Sequence, residues 1–433
     1  MSKWCELELG QAMRVKHGWA FKGEHFRDRG EQIVLTPGNF IDRGGFKPKN
    51  GVEKFYDGSY PSQFLLRRGD VVTAMTEQAK GLLGSTATIP LNETYLHNQR
   101  IGLIEITDPE MLDLRFVYHL MNAPAVRRQL QATATGSKVR HTAPERIQAV
   151  RVEVPDISAQ RVIAEVLDAI DALVENNRRR VDVLEEMARA TYREWFVNFR
   201  YPGHEDVPLV NSALGPIPEG WKPASVGEIA VVDKGLSYKG VHLTDVGVPM
   251  ANLKCIAPRG GFRRNGVKPY SGPYKPRHSV APGDLVLANT DLTQSGTVIG
   301  SPALIPRRGF AQGGLLSHHL FAVRPVEEKL THLLYQEFAG PTFRAFARGV
   351  ASGTTVLGFR PADLLSYRLA MPADVVLDQY ADLADSLYRM GEELLDAAES
   401  LESLRNRLLP KLVTGQIDVS TLDFDAQVEG AVA

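Results

Sequence analysis

The chain of 433 residues has few cysteines, no long apolar run and almost no net charge. Cys5 and Cys255 are too few for a disulfide framework, and neither stands at a spacing typical of metal ligands. No segment approaches the roughly 18 apolar residues of a membrane-spanning helix. The N-terminal residues also lack the charged-then-apolar pattern of a signal peptide. We therefore expect a cytoplasmic protein that does not contact a membrane.

Motifs for nucleotide, cofactor or metal chemistry are also missing from the sequence. It has no Gly-rich phosphate loop followed by Lys-Ser/Thr, no G-x-G-x-x-G after a strand, and no Pro-Pro dipeptide of the kind found in amino-methyltransferases. His318, His319 and His332 could be metal ligands, but without a nearby cysteine or paired carboxylate a structural role is more frequent. We predict no catalytic residue, no metal site and no cofactor in this chain.

The length predicts two or more domains, and the hydrophobic content of 43% predicts globular ones. Fifty basic and 51 acidic residues give a net charge of −1, but the charges are not evenly distributed. Residues 253–280 contain no acid, while acidic residues concentrate on helical stretches. The distribution of charge, more than its sum, indicates what a surface can bind.

The chain is a tandem repeat with a shift of 217 positions. The shift drifts in loops and returns in regular elements, which indicates duplication of a whole domain and not a solenoid. The matched positions are mostly aromatic, glycine and proline residues: Trp4 with Trp221, Gly10 with Gly227, Gly18 with Gly235, His25 with His242, Tyr118 with Tyr335, Pro124 with Pro341, Gly136 with Gly353 and Pro155 with Pro372.

Each copy has a compact part of short strands and one helical patch, followed by a long helix. In the first copy we expect a strand at Gln148–Val152 and a helix that opens at Thr107–Glu110, a capping residue with proline at the first helical position. The predicted segments are a first domain at 1–155, a long helix at 156–200, a linker at 201–220, a second domain at 221–372, a second long helix at 373–411 and a tail at 412–433.

The two long helices carry the heptad spacing of a coiled coil. In the second helix the apolar positions alternate four and three residues apart: Leu383, Leu387, Met390, Leu394, Ala397, Leu401, Leu404 and Leu408. About 40 residues would reach roughly 60 Å, which is more than one domain core can bury. We therefore expect each long helix to pack against the other.

Two corresponding loops combine basic and aromatic residues and are candidates for contact with DNA phosphates and sugars. The alternative is an ordinary solvated face. In the first copy the aromatic residues are Phe46, Phe55, Tyr56 and Tyr60, and the basic candidates are Arg43, Lys47, Lys49 and Lys54. In the second copy they are Phe262, Tyr270, Tyr274 and His278, with Lys254, Arg259, Arg263, Arg264, Lys268, Lys275 and Arg277.

Two further matched segments are candidates for reading base edges, because each keeps a common scaffold and changes its polar residues. The alternative is unconstrained drift of surface loops. One is a Gly-hydroxyl turn, with Ser137, Lys138, Arg140 and His141 in the first copy and Thr354 and Thr355 in the second. The other follows a strand, with Gln78 and Lys80 in the first copy and Asn289 and Gln294 in the second.

Four motifs make the chain resemble, over essentially its full length, the specificity subunit of type I restriction–modification systems. They are Ser158–Ala164 opening the first long helix, Tyr192–Phe199 closing it, Pro216–Trp221 opening the second copy and Leu408–Ile417 closing the second helix. The resemblance implies an α+β fold with two homologous target-recognition domains, separated by two long antiparallel coiled-coil helices in a pseudo-twofold arrangement. Because little precedes Trp4, we expect an N-terminal anchoring segment to be absent.

The resemblance also implies a function. Each domain would read one half of a split, asymmetric site on double-stranded DNA. The chain would dock two DNA adenine methyltransferase subunits and, optionally, two ATP-dependent restriction subunits. S-adenosylmethionine and ATP with magnesium are then expected on those partners, and this chain itself would not be an enzyme.

Two other functions stay open at this point. A non-catalytic coiled-coil scaffold with two protein-binding end domains would explain the helices but not the basic loops. A methyltransferase with its own recognition domain would need a cofactor motif that the sequence does not contain.

Overall fold

The computed structural model describes residues 4–49, 51–77 and 81–419. The chain divides into two compact units, Met1–Glu175 with Glu399–Ala433, and Asn176–Ala398. We call them unit 1 and unit 2. The elements of the first half of the chain are β1 (Cys5–Glu8), β2 (Met13–His17), β3 (Phe26–Arg27), β4 (Ile33–Val34), β5 (Phe55–Tyr56), β6 (Val71–Ala74), β7 (Thr76–Glu77), β8 (Thr86–Thr88), β9 (Tyr95–Leu96), β10 (Ile101–Ile106), α1 (Leu114–Asn122), α2 (Pro124–Ala132), β11 (Arg140–His141), α3 (Pro144–Gln148), β12 (Arg151–Val154) and α4 (Ile157–Tyr192).

Unit 1 is built on an antiparallel sheet of order β2-β10-β6-β8, in which Val72 pairs with Leu103 and with Ala87. All four residues of β6 are buried, as expected for a central strand that is covered on both faces. A second sheet has the order β3-β5-β4-β9, β1 pairs with β12, and the short strands β7 and β11 pair with each other.

Two elements of unit 1 differ from the sequence-based expectation. The helix expected to open at Thr107 begins at Leu114, because the Asp113 carboxylate accepts the backbone N–H groups of Arg115 and Phe116 at 2.9 and 3.0 Å. The strand expected at Gln148–Val152 is instead the end of α3 followed by β12. Pro144 favours the helix because it occupies the first helical position, where no N–H is needed.

Unit 2 repeats this architecture. Its elements are β13 (Leu209–Ser212), β14 (Gly215–Pro218), β15 (Lys222–Ser225), α5 (Val226–Ile229), β16 (Ala230–Lys234), β17 (Leu243–Ala251), β18 (Lys268–Tyr270), β19 (Ser279–Val280), β20 (Leu285–Ala288), β21 (Thr290–Asp291), β22 (Pro302–Leu304), β23 (Gly314–Leu316), β24 (Leu320–Pro325), α6 (Leu330–Ala339), α7 (Pro341–Val350), β25 (Leu357–Gly358), α8 (Pro361–Leu365), β26 (Arg368–Met371) and α9 (Asp374–Leu412).

The sheets of unit 2 correspond to those of unit 1. The order β16-β24-β20-β22 matches β2-β10-β6-β8, the β15–β26 pair matches β1–β12, and β21–β25 matches β7–β11. The β13–β14 hairpin lies within the segment expected as a linker, and the described residues of the first copy contain no counterpart to it. Two units with the same mixed topology and long helices confirm the α+β class.

Segments of the two long helices pack antiparallel in each unit. In unit 1 Arg405 of α9 forms an ion pair with Asp171 of α4, with a nitrogen-to-oxygen distance of 2.6 Å, and Ile163 belongs to the same core cluster as Leu412. In unit 2 the ring centre of Tyr192 in α4 lies 6.4 Å from the ring centre of Tyr380 in α9. The expected pairing of the helices is therefore present.

The buried seam of α9 agrees only in part with the expected one. Leu387 is buried as expected, but Leu383, Met390 and Leu404 are exposed by 39%, 44% and 38%. Next to Leu383 and Ala397 the buried residue is the following alanine, Ala384 or Ala398. Small side chains at a helix contact reduce the interaxial distance, and a search for large apolar residues at heptad spacing does not detect them.

Candidate nucleic-acid interface

In unit 1 the structure brings together the two segments that were candidates for base reading. β7 pairs with β11, so that Glu77 lies opposite Arg140 and Thr76 lies opposite His141. We call residues 76–77, 81–83 and 135–141 loop pair 1. Ser137, Lys138 and His141 are exposed there, which leaves their polar groups available to a ligand.

Loop pair 1 is held from inside by one acid and one arginine. Glu77 is 2% exposed, and its Oε2 accepts the backbone N–H groups of Gly81 and Leu83, each at 2.9 Å. Arg127 of α2 donates from Nε to the Leu83 carbonyl at 2.9 Å and from Nη2 to the Gly81 carbonyl. The backbone that follows the candidate residues is therefore fixed by buried hydrogen bonds.

Unit 2 contains the corresponding arrangement, which we call loop pair 2, residues 290–298 and 352–358. Asp291, opposite Leu357, is 2% exposed and accepts the N–H groups of Thr293 at 2.8 Å and Val298 at 2.7 Å. Burial alone would raise the pKa of Asp291, but these hydrogen bonds outweigh it and hold the pKa below its ordinary value. Gln294 donates from Nε2 to the Thr354 carbonyl at 2.8 Å and so joins the two segments.

Arg344 of α7 is the counterpart of Arg127, at the shift of 217. It donates to the carbonyls of Thr297, at 2.6 Å, and Val298, at 3.4 Å, and to the hydroxyl of Ser301. Burial first, and then the charge of Arg348, lowers the pKa of Arg344 to about 10, so the guanidinium stays charged at neutral pH. Neither arginine was predicted from the sequence as a functional residue, although their match in the repeat was a usable signal.

The turns at the tips require glycine. Gly136 has φ +99° and Gly353 has φ +130°, and a Cβ at either position would stand about 2 Å from the carbonyl oxygen of Val139 or Val356. The hydroxyl residues after them, Ser137 in one copy and Thr354 in the other, are thus presented by the same glycine-dependent turn.

The basic candidates of unit 1 lie in different surroundings. The loop that carries Arg43 adjoins loop pair 1, because a Cβ placed on Gly81 would lie 3.6 Å from the Cβ of Asp42; Arg43 itself is exposed. Lys47 and Lys54 are exposed, and the Lys54 ammonium lies 5.5 Å from the centre of the Phe26 ring. Lys49 donates to the Thr36 hydroxyl at 2.6 Å, and burial lowers its pKa, so it is partly used within the protein. Gln78 and Lys80 lie outside the described residues.

The basic candidates of unit 2 do not form one cluster. Arg259, in a left-handed conformation with φ +73°, contributes to the charge around Arg344 and so lies near loop pair 2. Lys268 lies in β18, Lys275 precedes the short turn Pro276–His278 before β19, and Arg277 lies within that turn. The exposed basic residues of unit 2 remain candidates for phosphate contact. In addition to Arg259 they are Lys254, Arg263, Lys268, Lys275 and Arg277.

Two candidates of unit 2 are corrected by the structure. Arg264 is 16% exposed in its side chain and contacts Asp396 and, at 3.9 Å, Glu392 of α9, so its charge is engaged by the long helix. Asn289 is 2% exposed and donates to the His318 carbonyl at 3.1 Å. Neither side chain is available to DNA. Thr354, Thr355 and Gln294 are exposed, as a base-reading role requires.

Most aromatic residues of the two basic loops belong to the protein core. Phe262 packs edge-on against the buried Phe310 at 5.7 Å, Tyr270 is 2% exposed and His278 is buried. In the first copy Tyr56 is buried and Phe46 packs on Tyr95. Their expected role against DNA is therefore wrong, since flat apolar groups in a loop serve equally well to pin it to the core. Tyr274 is the exception, with 48% of its surface exposed.

The histidine pair His318–His319 is packed within unit 2, with ring centres 3.9 Å apart, and Thr290 shares a hydrogen bond of 2.8 Å with His319. No group of three or more His, Cys, Asp or Glu residues arranged for a metal occurs among the residues that the structure describes. Within the same residues, no helix combines the length and hydrophobicity needed to cross a bilayer.

Comparisons with known proteins agree with the fold. Residues 1–186 match the family model of the type I restriction modification DNA specificity domain. The type I restriction enzyme MjaIX specificity subunit of Methanocaldococcus jannaschii is 20% identical over 419 residues, which cover 88% of this chain and 91% of that protein. The MjaVIII specificity subunit of the same organism is 22% identical over 436 residues, covering 93% and 98%.

A solved structure, the type I restriction–modification S subunit of M. genitalium, superposes with a TM-score of 0.58 at 12% identity and covers 95% of this chain and 96% of its own. This likeness concerns the fold. Together with the sequence relatives, it agrees with the resemblance that the four motifs indicated. Over most of its length the chain is similar to type I restriction–modification specificity subunits, and its first 186 residues match the specificity-domain family model.

Proposed function

We propose that this chain is the non-catalytic, DNA-reading subunit of a type I restriction–modification complex, in which each target-recognition domain reads one half of a bipartite, asymmetric site. Phosphate contacts would position each domain, and base-edge contacts from loop pairs 1 and 2 would supply its preference.

One observation carries the proposal: the two units present the same loop pair on the same internal scaffold, but with different exposed residues. Glu77 with Arg127 and Asp291 with Arg344 hold the two scaffolds. The exposed residues that differ are Ser137, Lys138 and His141 in one copy and Thr354, Thr355 and Gln294 in the other. To read two different DNA half-sites, the two domains would need the same supporting hydrogen bonds but different exposed side chains.

The proposal extends to partner subunits. Exposed apolar side chains follow both long helices, as expected where another protein covers a helix face: Leu173, Val183 and Met187 on α4, and Leu383, Met390 and Leu404 on α9. We propose that two adenine methyltransferase subunits and, in a restricting complex, two ATP-dependent restriction subunits assemble with the chain. S-adenosylmethionine, ATP and magnesium would be bound by those subunits.

A salt titration of binding to duplex DNA separates this function from that of a protein scaffold. The full chain with its methyltransferase subunits should lose affinity for a random duplex steeply and linearly on a log–log plot against salt. Arg43→Gln, at an exposed position near loop pair 1, should reduce the slope by about one unit if the residue contacts one phosphate. Binding that does not depend on salt would favour the scaffold and contradict the proposal.

A further inference from the structure

Loop pair 2 carries an exposed apolar pair at its tip. Leu292 is 59% exposed and Val356 is 38% exposed. Asp291 pairs with Leu357 on one side of them, and the Gln294 side chain reaches the Thr354 carbonyl at 2.8 Å on the other. Continuing the β21–β25 register outward therefore places Leu292 opposite Val356.

Hydrogen bonds hold the backbone around Leu292 and Val356, so the exposure of these two side chains does not result from a loose loop. The Asp291 carboxylate binds the N–H groups on both sides of the turn, at Thr293 and Val298. Arg344 holds the carbonyls of residues 297 and 298, and Arg348 donates from Nε to the Gly296 carbonyl at 2.9 Å. A single exposed leucine is common on protein surfaces, whereas two apolar side chains held opposite each other among hydroxyl groups indicate a contact surface.

Two exposed arginines lie close to loop pair 2. Arg348 is exposed beside the turn, and Arg259 is exposed and close enough to influence Arg344 electrostatically. Arginines that flank a short apolar surface suit a duplex, in which phosphates lie on either side of the base edges.

Thymine is the base that offers an apolar group there, because its 5-methyl projects into the major groove. The first copy differs at one of the two positions: Leu292 corresponds to Gln78, and Val356 corresponds to Val139. Glutamine suits adenine, whereas leucine can only pack. Resting on the proposed function, we propose that Leu292 and Val356 contact the 5-methyl group of thymine in the half-site bound by the second domain.

Replacement of thymine by uracil tests this directly, because it removes the methyl group and leaves base pairing unchanged. The full chain with its methyltransferase subunits would select sequences from two randomised duplex libraries, one made with thymine and one with uracil. Thymine positions in the half-site of the second domain should lose their preference in the uracil library, while the other positions of that half-site and the other half-site keep theirs. For a single duplex, burial of one methyl predicts about fourfold weaker binding per thymine replaced, from about 0.8 kcal/mol per methyl.

Variants assign the effect to the two side chains. Leu292→Gln, which introduces the residue of the first copy, and Val356→Thr, which keeps the shape, should each bind thymine and uracil duplexes more equally than the native chain does. Val231→Ala, at a valine of unit 2 that is 56% exposed on β16, is the matched control and should keep the native discrimination.

Three results are decisive. Equal affinity of the native chain for thymine and uracil duplexes, or a second half-site without thymine on either strand, would overturn the inference and leave the proposed function standing. Selection of no preferred sequence from either library would contradict the proposed function and the inference with it.

Discussion

Replacement of Arg344 by methionine is the perturbation that best tests how the recognition loops are held. Methionine has a similar length and can fill much of the space of the side chain, which is 8% exposed as a residue. The substitution removes the donors to Thr297, Val298 and Ser301 together. Because these bonds hold one loop only, we expect the global fold to persist. That loop, in contrast, should open more often.

The size of the effect follows from the bonds that are lost. Hydrogen bonds to a charged group contribute about 1.5–3 kcal/mol, and the carbonyls of this half-exposed loop can recover part of that from water. A reduction of about 1.5–3 kcal/mol in the free energy of local opening corresponds to exchange about ten- to a hundredfold faster, at about 1.4 kcal/mol per tenfold.

Amide hydrogen exchange measures this opening at named positions. The N–H groups of Thr293 and Val298, both bound by Asp291, should exchange faster in Arg344→Met. Arg127→Met is the reciprocal control, and it should accelerate Gly81 and leave unit 2 unchanged. Native exchange rates at Thr293 and Val298 in Arg344→Met would refute the view that this arginine holds the loop.

Three further predictions concern stability and attachment. Arg405→Ala should lower the free energy of unfolding, measured by urea denaturation, by about 2 kcal/mol. The loss is smaller than for a fully buried pair because one-third of the Asp171 side chain is exposed. The double variant Arg405→Met with Asp171→Leu should recover much of the lost stability. Burial lowers the pKa of His97 from 6.5 to about 4. Between those values the unfolded chain binds a proton that the folded chain does not, so stability should fall by about 2 kcal/mol from pH 7 to pH 5, and His97→Gln should abolish that part. Arg264→Met should leave the salt dependence of DNA binding unchanged, because Arg264 engages α9; a slope lower by one unit, the effect expected for Arg259→Gln, would return Arg264 to the phosphate contacts.

The repeat made the corresponding loops recognisable from sequence but could not place them side by side. Matching Gly136 to Gly353, and the segment after Thr76 to that after Thr290, identified two separate pairs of segments. The antiparallel ladders β7–β11 and β21–β25 join them within each unit. A strand of two residues is too short to show the alternation of apolar and polar residues by which strands are predicted. Glu77 cannot be distinguished in the sequence from an acidic residue at the surface.

Composition gave wrong predictions for residue types that serve both within the protein and at a DNA-binding surface. Basic and aromatic residues between 253 and 280 indicated one DNA-contacting loop, but Phe262 and Tyr270 fill the core and Arg264 binds a long helix. The heptad spacing of large apolar residues has the same weakness. It predicted Leu383 as buried instead of the neighbouring Ala384, because close helix contacts favour small side chains, which such a pattern does not include.

Genome-wide mapping of methylated adenines tests the central claim most directly. Cells that carry the chain with its methyltransferase subunits would be compared with cells carrying Ser137→Ala/Lys138→Ala or Thr354→Ala/Thr355→Ala. We predict a split motif with an unread gap, of which the first double substitution relaxes one half and the second relaxes the other. A single continuous motif, or relaxation of the same half by both, would contradict the account in which each domain reads its own half-site.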